Sequence, residues 1–165
     1  MKKTRISVRL AKLNDAHLLL KIHNNSVKRG YFNSKKLIIF KNHIKWLREK
    51  LNSNSKIYIG REYNKSDFGY VRFDKINKQI YEVSIGNLPN YYGKGLGTTM
   101  LEKALKKFIK KNNPKIITSV VKKFNIRSAK CFLKNGFIET QFDRNKHLTV
   151  NQINLKRDRY FELKK

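Results

Sequence analysis

The chain has 165 residues, with 39 Lys or Arg against 11 Asp or Glu, for a formal net charge of +28. That length suits one domain, since compact domains run to about 100–200 residues, and an apolar share of 39% supplies one core. The charge excludes an acidic binder and points to anions, whether nucleic acid, anionic lipid, phosphorylated cofactor or nucleotide-sugar.

Ile6, Val8 and Leu10 alternate with Ser7 and Arg9, the pattern of a strand. Asn14-Asp15 offers an N-cap for a helix carrying Leu18, Leu19 and Ile22. The polar stretch from Asn24 to Lys36 contains Gly30 and reads as a loop or broken helix. Ile39, Phe40, His43, Ile44, Leu47 and Leu51 recur at helical spacing up to Asn52-Ser53-Asn54-Ser55. Three strands follow, at Ile57-Tyr58-Ile59, from Phe68 to Phe73 and from Gln79 to Gly86. After Pro89 a glycine-rich turn opens a helix with Met100, Leu101, Ala104, Leu105, Phe108 and Ile109 on one stripe. Asn112-Asn113-Pro114 ends it. Ile116, Ile117, Val120 and Val121 form a strand, and Asn125 starts a short helix that Gly136 stops. Phe137 to Phe142 and Leu148 to Leu155 complete the sheet. The order is βααβββαβαββ, an α+β sheet with helices on its faces, in one domain over residues 1–165.

The apolar runs are far short of a ~20-residue membrane span. No signal-peptide pattern opens the chain, so a cytoplasmic location is expected. Cys131 is the one cysteine, so neither an intramolecular disulfide nor a cysteine-based zinc site is available, and no metal is expected. Lys, Asn and Ile are all abundant, so an AT-biased coding sequence is an equally good source of much of the charge.

Gly93-Lys94-Gly95-Leu96-Gly97-Thr98 lies between a strand and a helix. Glycines there let the backbone approach a ligand, and the first helical N–H groups favour an anion such as a pyrophosphate. A ligand-free tight turn is the plain alternative. The Walker spacing is absent, and a dinucleotide-binding fingerprint fails at Thr98 and at Lys122-Lys123.

Pro89-x-x-Tyr92-Gly93-Lys94-Gly95-Leu96-Gly97 resembles the acetyl-CoA loop of the GNAT N-acetyltransferases. Asn125-x-x-Ser128-x-x-x-Phe132-x-x-x-Gly136-Phe137 resembles that family's second signature. The resemblance covers nearly the whole chain. It implies the GNAT fold, a mixed, mostly antiparallel sheet of about seven strands flanked by about four helices. It also implies direct acetyl transfer from acetyl-CoA to a primary amine, with no metal. Glu82, on the strand before the loop, is then the expected base. A surface glutamate paired with a lysine is the competing reading. The cofactor falls to the backbone of Val83, Ser84 and Ile85, to the loop Tyr92, Gly93, Lys94, Gly95, Leu96, Gly97 and Thr98, and to Asn125, Ser128 and Phe132. Two positions depart from the family. Tyr92 stands where an Arg or Gln usually opens the loop, and Phe132 stands where a Tyr usually protonates the thiolate. Another hydroxyl (Tyr81, Tyr91 or Ser128), a water or unassisted departure of the thiolate is left for that step.

Asn24-Asn25, Arg29 and Phe40-x-x-His43-x-x-Trp46 resemble a GNAT subgroup that acetylates nucleotide-linked amino sugars, of the UDP-4-amino-sugar, pseudaminic-acid type. Asn25, Arg29, His43 and Trp46 are the implied acceptor residues. Packing of the helix onto the sheet accounts for His43 and Trp46 as well. The competing readings are a GNAT acting on a protein or peptide amine, a CoA-binding protein without turnover, and a nucleic-acid module. The lysines lie on every element and form no stripe, so no nucleic-acid or membrane partner is expected. A monomer or homodimer is.

Overall fold

Alternating side chains divide one sheet into two faces. Val8, Tyr58, Val71, Phe73, Val83 and Phe161 point to one side, and Ile57, Ile59 and Tyr70 to the other. A computed structural model of the chain describes residues 5–32, 35–143, 146 and 157–164. Its strands are β1 (Ile6–Leu10), β2 (Lys56–Glu62), β3 (Asp67–Lys75), β4 (Ile80–Asn87), β5 (Ile116–Lys122), β6 (Ile138–Thr140) and β7 (Asp158–Lys164). They lie in the order β1-β2-β3-β4-β5-β7-β6. The β4–β5 pair is parallel and every other pair is antiparallel.

Helices α3 (Leu96–Asn112) and α4 (Ile126–Lys134) cover the first face. Met100, Leu101, Ala104 and Phe108 of α3 are fully buried there, and Phe108 stacks on Phe73 with centroids 3.9 Å apart. Helices α1 (Ala16–Lys28) and α2 (Phe40–Leu51) cover the second face through Leu19, Ile22 and Leu47. The fold is the mixed, mostly antiparallel sheet expected, in the expected element order.

Three local readings change. Helix α1 runs through Asn24, Asn25 and Ser26 to Lys28, where a loop or broken helix was expected. Its polar residues are paired: Ser26 Oγ donates to the Ile22 carbonyl at 3.0 Å, and Asn24 bonds both backbone groups of Ile38 at 2.9 and 3.0 Å. Val27 is buried and anchors the last turn. Asp15 does not cap α1 with its side chain. Its carboxylate takes Arg9 at 2.7 and 2.9 Å and the Lys12 N–H at 2.7 Å. The strand that closes the sheet, β7 at Asp158–Lys164, was not expected, and the strand expected over Leu148 to Leu155 lies outside the described residues.

The central pairing decides where a site can form. β4 and β5 pair at three positions only, Ile80 with Ile116, Tyr81 with Ile117 and Glu82 with Thr118. β4 stays paired with β3 out to Asn87, and β5 with β7 out to Lys122. From Val83 onward the β5-side edge of β4 has no strand partner among the described residues, and the sheet opens.

Candidate active site

The opened sheet leads into a cleft of about 290 Å³. One wall is the end of β4, with Ile85, Gly86 and Asn87, continued by the turn that carries Tyr91, Tyr92, Gly93, Gly95, Gly97 and Thr98. Gly93 and Gly95 have φ of +76° and +72°, and a Cβ at either would meet nothing within 4 Å. Conformation, not crowding, selects glycine at both. At Gly97 a Cβ would fall 2.8 Å from Asn87 Nδ2, so close approach selects it there. The N–H groups of Gly93, Lys94, Gly95, Leu96 and Gly97 make no backbone hydrogen bond among the described residues. Thr98, expected to offer its own N–H, donates it to the Gly95 carbonyl at 3.1 Å. The turn is thus a row of free donors at the positive end of a 17-residue helix, suited to an anion.

The opposite wall is α4. Asn125 Oδ1 accepts the Ser128 N–H at 3.3 Å and caps the helix, so its oxygen builds the wall as well as facing the cleft. Asn135 Nδ2 ties α4 to α3 through the Thr98 carbonyl at 3.2 Å. Arg127, Lys130 and Lys134 line this side, and no carboxylate lines the cleft. Cys131 also lines it, but burial pushes its thiol up to about 11, too high for a nucleophile at neutral pH.

Of the sequence-predicted cofactor residues, Ile85, Tyr92, Gly93, Gly95, Gly97, Thr98, Asn125 and Ser128 meet in this cleft. Val83 and Leu96 are buried in the core beneath it. Lys94 is turned aside, with its ammonium 5.6 Å from the Tyr91 ring centroid. Phe132 is 1% exposed, packs against Phe137 and Phe161 and does not reach the cleft, so it acts as scaffold. Tyr91 and Ser128 line the cleft, whereas Tyr81 packs edge-on to Phe108 in the core. Tyr31, Asn87, Arg127, Lys130 and Lys134 were not foreseen. The spacing of Arg127, Lys130 and Lys134 carried a signal, since residues three and four apart share one helix face.

The other face of β4 holds a second group. Tyr81 and Val83 belong to the core under α3, so alternation sends Glu82 and Ser84 to the side of α1 and α2. Glu82 is half-buried there, opposite Asp74 on β3. Asp74 is held by Lys50, Arg72 and Ser55, each at 2.7 Å. Burial pushes its carboxyl up, and Arg72 with Lys50 and Ser55 outweighs that and holds it below the usual range. Arg72 also lies 5.4 Å from the Trp46 ring centroid, and His43 is 5.2 Å from Trp46. His43 is 3% exposed. His23 joins this side from α1, where burial, then the charges of Arg72 and His43, push it down to about 4. Glu82, Trp46 and His43 are thus on one face, and Asn25 is half-buried near the end of α1. Arg29 lies elsewhere. It stands at the mouth of the cleft beside Tyr31, Phe124, Asn125 and Arg127.

The sequence pattern of the acetyltransferase (GNAT) family matches residues 24–137, which include the glycine turn and the α4 cap. The chain belongs to the acetyltransferase (GNAT) family. It is an acetyl-CoA-dependent N-acetyltransferase of the GNAT type. Solved structures share the fold. An N-acetyltransferase from Staphylococcus aureus Mu50 superposes with a TM-score of 0.80 at 19% identity, over 98% of this chain and 99% of that one. Spermidine N-acetyltransferase from Vibrio cholerae, in complex with CoA and spermine, gives 0.79 at 17%, over 96% and 95%. Ribosomal-protein-alanine N-acetyltransferase from Brucella melitensis gives 0.78 at 17%, over 96% and 99%. No curated protein sequence matches the chain. The free donors of the turn, the cations of α4 and the gap beside β4 fit the polyphosphate and slender arm of a CoA. Among the described residues no cluster of His, Cys, Asp or Glu could hold a metal. No described helix is long and apolar enough to cross a membrane.

Proposed function

We propose that this N-acetyltransferase acts on the 4-amino group of a nucleotide-linked amino sugar. The observation that carries the reading is Trp46 with Arg72 against its ring, on the same sheet face as Glu82. An indole can stack on a base or sugar, and Arg72, itself held by Asp74, fixes the ring beside Glu82. The charge points the same way, because a net +28 repels a polycationic acceptor and attracts an anionic one.

Acetyl-CoA supplies an activated thioester when bound. The free N–H groups of Gly93, Gly95 and Gly97 hold its pyrophosphate, with Tyr92 and Thr98 lining that end. Asn125 and Ser128 hold the α4 wall in place along the arm. The unpaired edge of β4 at Val83, Ser84 and Ile85 supplies backbone donors to the acetyl oxygen. Glu82 receives the proton that the amine loses, through a water. Phe132 has no proton to give, which leaves the thiolate to a cleft hydroxyl, Tyr91 or Ser128, to a water, or to departure without a proton. Trp46 forms the acceptor floor with the buried His43 packed against it, and Asn25 forms its edge.

An acceptor panel followed by release of free CoA thiol tests the reading. UDP-4-amino-4,6-dideoxy sugars are expected to stimulate release, while peptides, ribosomal proteins and spermidine are not. Activity on a peptide N-terminus with none on amino sugars overturns the acceptor assignment.

A further inference from the structure

Two arginines from helices on opposite faces of the sheet converge on one aromatic ring. Arg29, just past the end of α1, has its guanidinium carbon 4.9 Å from the Tyr92 ring centroid. Arg127, in the first turn of α4, lies 5.6 Å from the same centroid. Among the described residues neither forms an ion pair, although their side chains are exposed in a chain with many salt bridges. Both guanidiniums seat on one ring with no carboxylate to neutralise them, which leaves their donors open to an anion. The arrangement is also built. Arg29 Nε donates to the Tyr31 hydroxyl at 3.1 Å, which fixes the direction of the guanidinium. Tyr31 packs against Phe124 with centroids 5.8 Å apart, and Phe124 is 60% exposed. The pair of arginines is thus flanked by a flat, open aromatic surface.

We propose that Arg29 and Arg127 form a phosphate clamp on the cofactor side, gripping the nucleotide end of CoA at the mouth of the cleft. The proposal rests on the acetyl-CoA reading above and moves Arg29 from the acceptor to the cofactor. It also answers the loop's departure at Tyr92. The charge missing from that position is supplied by two guanidiniums that use the tyrosine ring as their seat. Guanidinium forks bind phosphate oxygens in pairs, and Phe124 and Tyr31 present faces to a purine. Both the pyrophosphate and the 3′-phosphate of CoA offer this chemistry. The clamp has a structural corollary: the end of α1, where Ser26 already lines the cleft, is held by the cofactor.

Calorimetry on the full chain separates these sources, with CoA, 3′-dephospho-CoA and UDP as titrants. The variants are Arg29→Gln, Arg127→Gln and the double substitution, each checked for an unchanged melting temperature. Each single change is expected to weaken CoA binding about tenfold, the size of a lost charge-assisted hydrogen bond. If dephospho-CoA is weakened equally, the clamp holds the pyrophosphate. If it is unaffected, the clamp holds the 3′-phosphate. A double variant that binds CoA like the wild type overturns the clamp and leaves the acetyl-CoA reading standing. Weakened UDP binding with unchanged CoA binding also overturns it, and returns Arg29 to the acceptor. A wild-type chain that does not bind CoA removes the acetyl-CoA reading itself. Phe124 is 60% exposed, so Phe124→Ala is expected to weaken CoA binding with an unchanged melting temperature, and unchanged CoA binding removes Phe124 from the clamp.

Discussion

Glu82 on β4 and Thr118 on β5 form the last rung of the one parallel pairing in the sheet. Beyond them β4 keeps a single neighbour among the described residues, and the gap that follows leads to the glycine turn. The carboxylate therefore stands where the paired and open halves of the sheet meet. Its side chain points to the α1 and α2 face, while the free backbone edge of the next residues faces the gap. One strand thus carries the carboxylate and, directly after it, the backbone edge that faces the gap.

Glu82→Gln keeps the size of the side chain and removes its basicity. Turnover is expected to fall by about a hundredfold or more, the usual weight of a positioned general base. CoA affinity by calorimetry should stay the same, because no carboxylate lines the cofactor cleft. An unchanged kcat removes Glu82 from the chemistry.

At Gly95 the backbone sits at φ +72° with open space where a Cβ would go. Gly95→Ala is then expected to cost about 1 kcal/mol from the left-handed conformation alone. The melting temperature should drop by about 2–4 °C, and CoA binding should weaken as the N–H groups of the turn lose their alignment. Gly95→Asn should lose less stability, since asparagine tolerates that region. If alanine and asparagine behave alike, the glycine is not selected by conformation.

The fold was legible because its periodicities are clean. Ile6, Val8 and Leu10 alternate, and the α3 stripe from Met100 to Ile109 repeats at helical spacing. The glycine turn announced itself by three glycines between a strand and a helix. What the sequence hid depends on contacts between distant segments. Asn24 reads as a loop residue until Ile38 is seen bonded to it. Arg29 and Arg127 are about as ordinary as any two of the 39 basic residues until Tyr92 brings them together. Likewise Asp15 has the spacing of a helix cap, but Arg9 and the Lys12 N–H claim its carboxylate. In so basic a chain, which cation matters is a question of tertiary placement that composition cannot answer.

Asp74 is buried with Arg72 and Lys50 as its charge partners. Removing it leaves a guanidinium desolvated beside Glu82. Asp74→Ala is expected to destabilise the fold by about 3 kcal/mol, the cost of stranding one member of a buried pair. Urea unfolding measures this. Lys50→Ala should cost much less, because Lys50 is the more exposed partner and Arg72 still holds the carboxylate. Equal losses from the two substitutions would show that Arg72 does not carry the pair.

His23 sets a pH dependence whose sign follows from its environment. Burial first, then Arg72 and His43, push it down to about 4, whereas an unfolded chain titrates near ~6.5. Between those values the unfolded chain binds the extra proton, so stability rises with pH across the window. The contribution is complete above about 6.5 and is lost as pH falls toward 4. Asp15, Asp67 and Asp74 sit below their usual range, burial being outweighed in each by neighbouring Arg and other donors. Their stability is present above the ordinary carboxylate value and is lost below it, so their loss follows that of His23 rather than masking it. The melting temperature of the wild type should therefore decline between pH 6.5 and 4.5, before the carboxylates protonate. His23→Gln should flatten that decline and leave a smaller slope from His43, which burial also pushes down. A wild-type melting temperature that stays level across this window would mean that His23 is not desolvated against Arg72.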